Sequence, residues 1–273
     1  MGPSIFDTTY MEEKMKKVIS LIVAGLLAAG PACAMTAEEI VTKASLASYY
    51  QGDDGRADMH MVITDSQGRT RERDMTILKM DQEDNGPQKY FVYFREPSDV
   101  KGMTYLVWKN PGSDDDRWLY LPALDLVRRI AASDKRSSFV GTNFAYEEIS
   151  GRGPEEDTHA IESEDEEYYV IKSEPRDPGS VEFAYFRTWV DKNNFIPMKA
   201  ELYDKSGKNY KTIEALEVKE IQGYPTITKM KAADLNSGGN TVSEARGVEY
   251  DLGLDEDIFT ERSLRRPPRK YVR

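Results

Sequence analysis

Hydrophobic and polar residues alternate with a period of two along most of the chain. In the first run Met59, Met61 and Ile63 alternate with polar neighbours, and after a turn Met75 and Ile77 again share one face. Because successive side chains of a strand point to opposite faces, this pattern predicts half-buried β-strands. Further predicted strands occupy residues 90–94, 104–109, 117–121, 168–173, 183–191, 198–203, 210–221, 226–235 and 241–250.

The arrangement of these runs predicts the fold class. Short turns join them, helices are almost absent between them, and no β-α-β rhythm appears. We therefore predict a mainly-β protein built on a single, meandering, strongly curved antiparallel sheet. Residues 90–94 are apolar on both faces, so they should lie centrally and under cover. The apolar phase slips between Ala215 and Leu216, which predicts a β-bulge.

One long helix is predicted ahead of the strands. Thr36 and Glu39 have the spacing of a capping box, in which each side chain accepts a hydrogen bond from a free backbone N–H group. Gly52 is a suitable C-terminal stop. Between them, apolar residues recur at helical spacing at Ile40, Val41, Ala44, Ala47 and Tyr50. We expect residues 38–50 to cover the sheet as a lid, with Ile40, Ala44 and Ala47 facing it.

The segment before this helix has the pattern of a cleavable signal peptide. Lysines at positions 14, 16 and 17 precede an apolar run at residues 18–29, and Ala32-Cys33-Ala34 matches a small-x-small cleavage site. We therefore expect residues 1–34 to be a signal peptide and residues 35–273 to form one exported domain. The acidic residues before position 14 fit such a leader poorly. Translation therefore begins at Met11 or Met15, or the residues before Met15 are a mis-assigned or engineered extension.

Charge and cysteine content exclude several classes of partner. The net charge is −11, and removing residues 1–34 leaves it unchanged because that segment holds three basic and three acidic residues. This balance argues against nucleic acid and against adsorption to anionic lipid, so membrane contact would need a local patch. Cys33 is the only cysteine, so the exported domain has no disulfide and no thiol nucleophile. The tail at residues 265–270 is basic and proline-rich, which predicts an extended, solvated end.

Signatures of catalysis and metal binding are missing from the sequence. The two histidines, His60 and His159, are expected to be exposed, and there is no nucleophile elbow, P-loop, GxGxxG or HExxH motif. The acidic runs at residues 114–116 and 164–167 lack the ligand spacing of a calcium loop. We therefore predict no enzymatic activity, no cofactor and no metal. An enzyme that acts on a lipid or glycan through two carboxylates stays open, because sequence spacing gives no distances in space.

Flexible and aromatic apolar residues are unusually frequent on one predicted face of the sheet. Methionine is unbranched and soft, so it tolerates varied apolar ligands. A curved sheet with few helices has little to fill its inner side, so we predict a hydrophobic cavity there, although an ordinary core explains each residue taken singly. The predicted lining is Met59, Met61, Ile63, Met75, Ile77, Phe91, Tyr93, Leu106, Trp108, Met198 and Leu202.

A polar and aromatic loop at residues 137–144 follows a predicted hairpin and leads into a short helical turn. Its aromatic residues, Phe139 and Phe144, stand near a glycine and among polar residues. This composition suits a movable element that packs against an apolar surface. We therefore predict that the loop is a second part of the lid.

Four segments together resemble the LolA-like family of periplasmic outer-membrane lipoprotein-sorting proteins. They are residues 95–104 (REPSDVKGMT), 117–123 (RWLYLPA), 138–148 (SFVGTNFAYEE) and 189–204, in which WVD is followed by Pro197 and Asp204. Asn143, Glu147 and Glu148 depart mildly from the family pattern. The resemblance implies an incomplete, half β-barrel with a helical lid over a hydrophobic cavity that encloses acyl chains. The arginine that latches the lid in classical carriers has no matching position.

The resemblance also implies a location and a function. Such a protein acts as a monomer in the periplasm of a Gram-negative cell, binds acyl chains of a lipoprotein or another lipid, contacts membranes transiently and ferries its cargo toward the outer membrane. Members of this branch resemble companions of inner-membrane RND-type exporters, so an exporter is the expected donor. The rival interpretation is a non-enzymatic periplasmic adaptor of a transporter, without lipid cargo. The sequence does not identify the cargo.

Overall fold

The computed structural model describes residues 34–272, so residues 1–33 of the predicted signal peptide lie outside the described part of the chain. Within that part, thirteen strands form one sheet in which paired neighbours are antiparallel. The strands are β1 (Asp54–Thr64), β2 (Thr70–Asp81), β3 (Gln88–Glu96), β4 (Thr104–Lys109), β5 (Asp116–Leu121), β6 (Leu126–Arg129), β7 (Asp157–Glu164), β8 (Tyr168–Pro175), β9 (Tyr185–Asp191), β10 (Pro197–Tyr203), β11 (Asn209–Ile221), β12 (Tyr224–Asp234) and β13 (Asn240–Tyr250).

The sheet consists of two meanders that join at its middle. Its strand order is β6-β5-β4-β3-β2-β1-β13-β12-β11-β10-β9-β8-β7. We call β1–β6 the first arm and β7–β13 the second arm. In the described residues β6 and β7 are the two edges, so the sheet is not closed into a barrel. This arrangement confirms the predicted mainly-β class and single antiparallel sheet, and a register shift between Ala215 and Glu217 confirms the predicted bulge.

Helices play a minor part in the described residues. They are α1 (Ala37–Tyr49), α2 (Tyr146–Ser150) and α3 (Glu261–Arg265), with 3₁₀ turns at residues 122–124, 132–134, 154–156 and 256–259. The predicted capping box is confirmed, since Glu39 N donates to Thr36 Oγ1 at 3.2 Å and Thr36 N donates to Glu39 Oε2 at 2.8 Å. None of the helices in residues 34–272 is long and apolar enough to cross a bilayer.

The first arm carries apolar side chains on both faces, and each face has its own cover. We call the face that bears Met61 and Met75 the cavity face, and the face that bears Leu78 and Phe91 the back face. On the cavity face, aromatic residues of the segment between β6 and β7 pack onto the sheet. The core there comprises Met61, Met75, Tyr90, Val92, Phe94, Val100, Met103, Tyr105, Val107, Leu119, Ile130, Phe139, Phe144, Tyr146 and Ala232.

The C-terminal segment, residues 251–272, covers the back face. Its buried residues pack on the sheet in a second core of Leu78, Phe91, Leu106, Trp118, Leu254, Ile258, Phe259, Leu264 and Val272. Trp108 Nε1 donates to the Phe259 carbonyl at 2.8 Å, and Thr104 Oγ1 donates to the Leu264 carbonyl at 2.8 Å. The predicted solvated tail is therefore wrong for the backbone, because buried Leu264 and Val272 hold residues 265–270 from both ends. Its basic side chains are exposed, as expected.

Candidate functional site

A cavity of about 460 Å³ lies on the cavity face, where the two arms and α1 meet. Its size is within the range of about 300–1,000 Å³ that is usual for small-molecule sites. The apolar part of its lining comprises Val41, Ala44 and Ala47 of α1, Ala57, Met59, Met61 and Ile77 of the first arm, Phe144 and Ile149 of the segment before β7, and Phe186, Val190, Ile196, Ala200, Ile213, Ala215, Ile227, Met230, Ala245 and Val248 of the second arm and its connections.

The C-terminal end of α1 is anchored to the sheet by polar contacts. The Tyr49 carbonyl accepts hydrogen bonds from Lys79 Nζ at 3.0 Å and from Gln88 Nε2 at 2.8 Å. A cation and an amide thus satisfy a carbonyl that the helix leaves free at its end. One residue beyond the helix cap, Gln51 Oε1 accepts a hydrogen bond from the Tyr250 hydroxyl at 2.7 Å. Burial lowers the pKa of Lys79, against the opposing effect of nearby Asp81. The helix is therefore fixed at one end beside the cavity.

Aromatic packing holds the segment that follows β6. The Phe139 ring lies 5.7 Å from Phe94, 5.4 Å from Tyr105 and 5.5 Å from Tyr146, measured between ring centroids. Its side chain has no exposed surface. Phe144, from the same segment, reaches the cavity and forms part of its lining. The segment thus places one aromatic ring in the core and the other against the space where a ligand would lie.

A dense group of charges, most of them buried, fixes the end of this segment. We call it the Glu147 cluster; it comprises Lys135, Arg136, Glu147, Glu148, Arg152, Glu156, Asp157, Glu182 and Lys211. The Glu147 carboxylate is 1% exposed and pairs with Lys135 at 2.9 Å, Arg136 at 3.2 Å and Arg152 at 3.2 Å. Burial alone would raise the pKa of Glu147, but the three cations outweigh it and hold the pKa below its ordinary value.

The cavity has a polar end beside this cluster. Glu148, Arg152, Asp157 and His159 all contribute to its lining. His159 Nε2 lies 2.9 Å from the Pro154 carbonyl and its Nδ1 lies 2.8 Å from Ser173 Oγ. The expectation of a solvated His159 is wrong, because β7 turns this ring inward against β8. In residues 34–272, no group of three or more His, Cys, Asp and Glu side chains is placed to hold a metal ion. An apolar chamber with one charged end suits an amphiphilic ligand.

The structure brings part of the predicted lining together. Met59, Met61 and Ile77 line the cavity, as do the predicted lid residues Ala44, Ala47 and Phe144. Other predicted residues are buried outside the lining, namely Ile40, Ile63, Met75 and Phe139. Leu202 packs in a separate small core with Val181 and Phe183. Met198 lies at the register irregularity between Pro197 and Lys199 and does not reach the cavity.

Four predicted lining residues lie on the other side of the sheet. Phe91, Tyr93, Leu106 and Trp108 belong to the back face, where they pack with the C-terminal segment. Their inclusion in the cavity is therefore corrected. The sequence pattern could not assign these residues to a face, because the middle positions of β3 and β4 are all apolar. Alternation then shows which residues share a face, but not which of the two faces borders the cavity.

The sequence interpretation missed most of the second arm. Ile213, Ile227 and Met230 line the cavity, although none was named as a lining residue. A signal was available in β12, where Ile227 and Met230 stand among lysines and threonines. The bulge next to Ala215 interrupts the alternation in β11 and hides which side of that strand faces inward.

A family model described as that of an uncharacterized protein matches residues 86–266. No curated protein matches the chain. The crystal structure of a DUF1329 family protein from Desulfovibrio piger is similar at 25% identity, with a TM-score of 0.78, and covers 84% of this chain and 97% of its own.

Two further solved structures are similar. A Vibrio parahaemolyticus domain, described as an outer membrane lipoprotein-sorting protein domain, has 27% identity and a TM-score of 0.77, with 84% of this chain and 98% of its own covered. A LolA superfamily protein from Nitrosomonas europaea shares the fold at 23% identity and a TM-score of 0.65, covering 84% and 99%. The match over residues 86–266, with the Desulfovibrio piger structure, shows that the chain belongs to the DUF1329 family, and its fold is shared by the two other structures.

Proposed function

We propose that this protein is a non-enzymatic periplasmic carrier that holds the acyl chains of a lipoprotein or another lipid in the cavity and ferries them toward the outer membrane. The observation that carries the proposal is the apolar cavity of about 460 Å³ between the two arms and α1. Its lining combines methionines with branched and aromatic side chains, and it has a charged end. An acyl chain fits the apolar part and a polar head fits the end beside Arg152 and His159.

The energetics of transfer explain why such a cavity would be needed. Burying one methylene contributes about 0.8 kcal/mol, so exposing a sixteen-carbon chain to water costs on the order of 10 kcal/mol. A lipid therefore leaves a bilayer slowly unless another apolar surface receives it. A carrier must bind the acyl chain about as strongly as the bilayer does, because a much tighter complex would not release its cargo. Met59, Met61 and Met230 supply a soft lining of this kind.

The covers of the cavity suit loading and release. The Tyr49 end of α1 is pinned by Lys79 and Gln88, whereas Glu38 and Glu39 near its other end are exposed. A helix pinned at one end can move about that end, and such a movement would uncover Ala37 and Ile40, which are buried near the other end. We assign the movable cover to α1 and to the segment that carries Phe144.

The remaining parts of the proposal concern the cell. The expected signal peptide at residues 1–34 directs the chain to the periplasm, where it acts as a monomer. An inner-membrane RND-type exporter is the proposed donor of the cargo. The lipoprotein-sorting description of the Vibrio parahaemolyticus domain supports the direction of transport, toward the outer membrane.

A single substitution that fills the cavity tests the proposal. Ala245 lies opposite Met59 on the neighbouring strand and lines the cavity, so Ala245→Trp places an indole in the space for the acyl chain. We expect the purified protein to bind a fluorescent fatty acid and to carry co-purified lipid in native mass spectra, and the variant to lose both by at least about ten-fold.

The matched control is Ala160→Trp, at an exposed position of β7. This variant should bind like the parent protein. Equal binding by both tryptophan variants, or a parent protein that takes up no acyl ligand, would contradict the proposal. A protein without lipid that still binds a transporter would instead be the adaptor considered above.

A further inference from the structure

A surface at the β6 edge of the sheet, away from the cavity lining, combines exposed leucines with exposed arginines. We define the Leu–Arg surface as Leu124 and Leu126, at the turn between β5 and β6, with Arg265, Arg266 and Arg269 of the C-terminal segment. Leu124 is 69% exposed and Leu126 is 46% exposed, both large values for leucine in a folded protein. We infer that this surface docks the protein on a membrane that contains anionic phospholipid.

The leucine turn is ordered and joined to the arginines. Residues 122–124 form a 3₁₀ turn that is closed by a hydrogen bond from Asp125 N to the Pro122 carbonyl at 3.2 Å. Arg265 Nε donates to Asp125 Oδ1 at 2.9 Å, and its Nη2 donates to the Asp125 carbonyl at 3.1 Å. The Arg265 guanidinium also stacks 5.5 Å from the Tyr120 ring. Leu124 therefore projects from a fixed tip beside the arginine cluster.

The arginines are available to an external anion. Arg265, Arg266 and Arg269 surround an open depression whose floor includes Tyr93, Pro267 and Val272. Among the described residues Arg266 and Arg269 have no carboxylate within 4.0 Å, in contrast to Arg265, which pairs with Asp125. The same segment adds exposed Arg262 and Lys270. A local positive patch thus stands on a chain whose net charge is −11.

The combination favours a membrane surface over an acidic protein segment. Basic residues near a membrane attract the phosphates of anionic lipids, and adjacent apolar side chains enter the boundary between headgroups and acyl chains. An acidic segment would use the arginines and leave Leu124 and Leu126 in water. A negatively charged carrier that must approach a membrane gains a defined orientation from one local patch of opposite sign.

The docking surface and the cavity have no residue in common. The arginines adjoin the back-face core that includes Leu264, and Leu126 is paired with Leu121 at the β6 edge of the sheet, but none of the residues of the Leu–Arg surface lines the cavity. Vesicle binding and acyl-chain uptake are therefore separate readouts, and failure of one does not decide the other. The inference does not rest on the identity of the cargo.

Vesicle co-sedimentation tests the inference. We expect the full protein to bind vesicles that contain phosphatidylglycerol, to bind pure phosphatidylcholine vesicles weakly, and to lose binding as salt rises. Arg266→Ala with Arg269→Ala should lower the partition coefficient about thirty-fold, since each basic residue near the surface contributes about a factor of five. Leu124→Ser with Leu126→Ser should lower it about ten-fold through lost insertion.

Matched controls remove the same charge and the same apolar side chains elsewhere. Lys205→Ala with Lys208→Ala acts in the exposed β10–β11 turn, and Leu216→Ser with Leu235→Ser removes two other exposed leucines. Both control pairs should bind vesicles like the parent protein. All four variants alter exposed side chains, and thermal unfolding confirms that each is folded.

Three results would overturn the inference. The first is equal binding to the two vesicle types, and the second is equal loss in the test and control variants. The third is complete competition by inorganic phosphate at constant ionic strength, which would make the arginine depression a site for free phosphate. Binding to an acidic protein partner with no binding to vesicles would assign the surface to that partner instead.

Discussion

The two faces of the first arm are equally apolar, yet they are covered in different ways. On the back face, Phe91 and Leu106 pack against Phe259 and Leu264, and all four side chains have no exposed surface. On the cavity face, the residues nearest the junction of the arms are covered by α1, and the two leave a cavity between them. Large apolar side chains hold the C-terminal segment on the back face, whereas α1 is held by a few mostly small apolar side chains and by hydrogen bonds at its C-terminal end.

This difference indicates which cover can move. Separating the C-terminal segment from the back face would expose large apolar side chains to water, at a cost of about 25 cal/mol for each Å². Moving α1 away from the cavity exposes fewer and smaller apolar side chains, Ala37, Ile40 and Ala44, and replaces hydrogen bonds such as that from Gln88 to the Tyr49 carbonyl with bonds to water. The net contribution of such a bond is only about 0.5–1.5 kcal/mol. We therefore propose that α1 is the cover that moves and that the C-terminal segment stays in place.

The largest effect is expected from breaking the back face. Phe259→Ala removes a fully buried ring from this core and should lower the free energy of unfolding by about 3–5 kcal/mol. Urea denaturation measures the change. Leu252→Ala, in the same segment but at a position that is 38% exposed, should cost less than about 1 kcal/mol. A similar loss from both substitutions would mean that the segment is not a core element.

The next largest loss of stability is expected from the Glu147 cluster, at the end of the segment that carries Phe144. Glu147→Gln leaves Lys135, Arg136 and Arg152 without their shared carboxylate, and we expect a loss of about 3 kcal/mol at neutral pH. Glu162→Gln is the control, because that carboxylate pairs with Arg187 at the surface and should contribute less than about 1 kcal/mol. Equal losses would contradict the role given to the Glu147 cluster.

The same pair of proteins tests the lowered pKa of Glu147. A carboxyl whose pKa is lower in the folded state stabilises the fold fully above its unfolded pKa, which is about 4.3 for glutamate. That stability is lost as the pH falls through the lower, folded pKa. The difference in unfolding free energy between the parent protein and Glu147→Gln should therefore be constant near neutral pH and shrink below about pH 4. A difference that stayed constant under acid conditions would show that Glu147 has no such shift.

The smallest loss of stability is expected at Met59, and it is compared with the loss at Met75 on the same face. Met75 is fully buried, so Met75→Ala should cost about 2–5 kcal/mol. Met59 lies opposite it on β1 but borders the cavity, so Met59→Ala removes fewer packing contacts and should cost roughly 1 kcal/mol. Met59→Ala should also weaken binding of the fluorescent fatty acid more than Met75→Ala does. The reverse order in both measurements would mean that the cavity is misplaced.

Much of this organisation could be predicted from the chain alone, because it depends on local rules. The alternation around Met59 and Met61 predicts strands, and the capping box at Thr36 predicts where the helix starts; both are confirmed. These features depend on the backbone period and on contacts three residues apart. Local rules could not predict the positions of Phe91 and Leu106, since their strands are apolar on both faces. Which face borders the cavity depends on the segments that pack against each one.

The sequence by itself therefore determined the single antiparallel sheet, the covering helix and the family. Periodicity, helix caps and short motifs each depend on residues that are close together in the chain. Tertiary structure alone decided that residues 251–272 cover the back face, that β1 pairs with β13 and that Ile213 and Met230 complete the cavity. The physical reason is that these contacts join residues far apart in the chain. Any apolar segment that reaches an apolar face can cover it. Only the folded structure shows which segment covers which face.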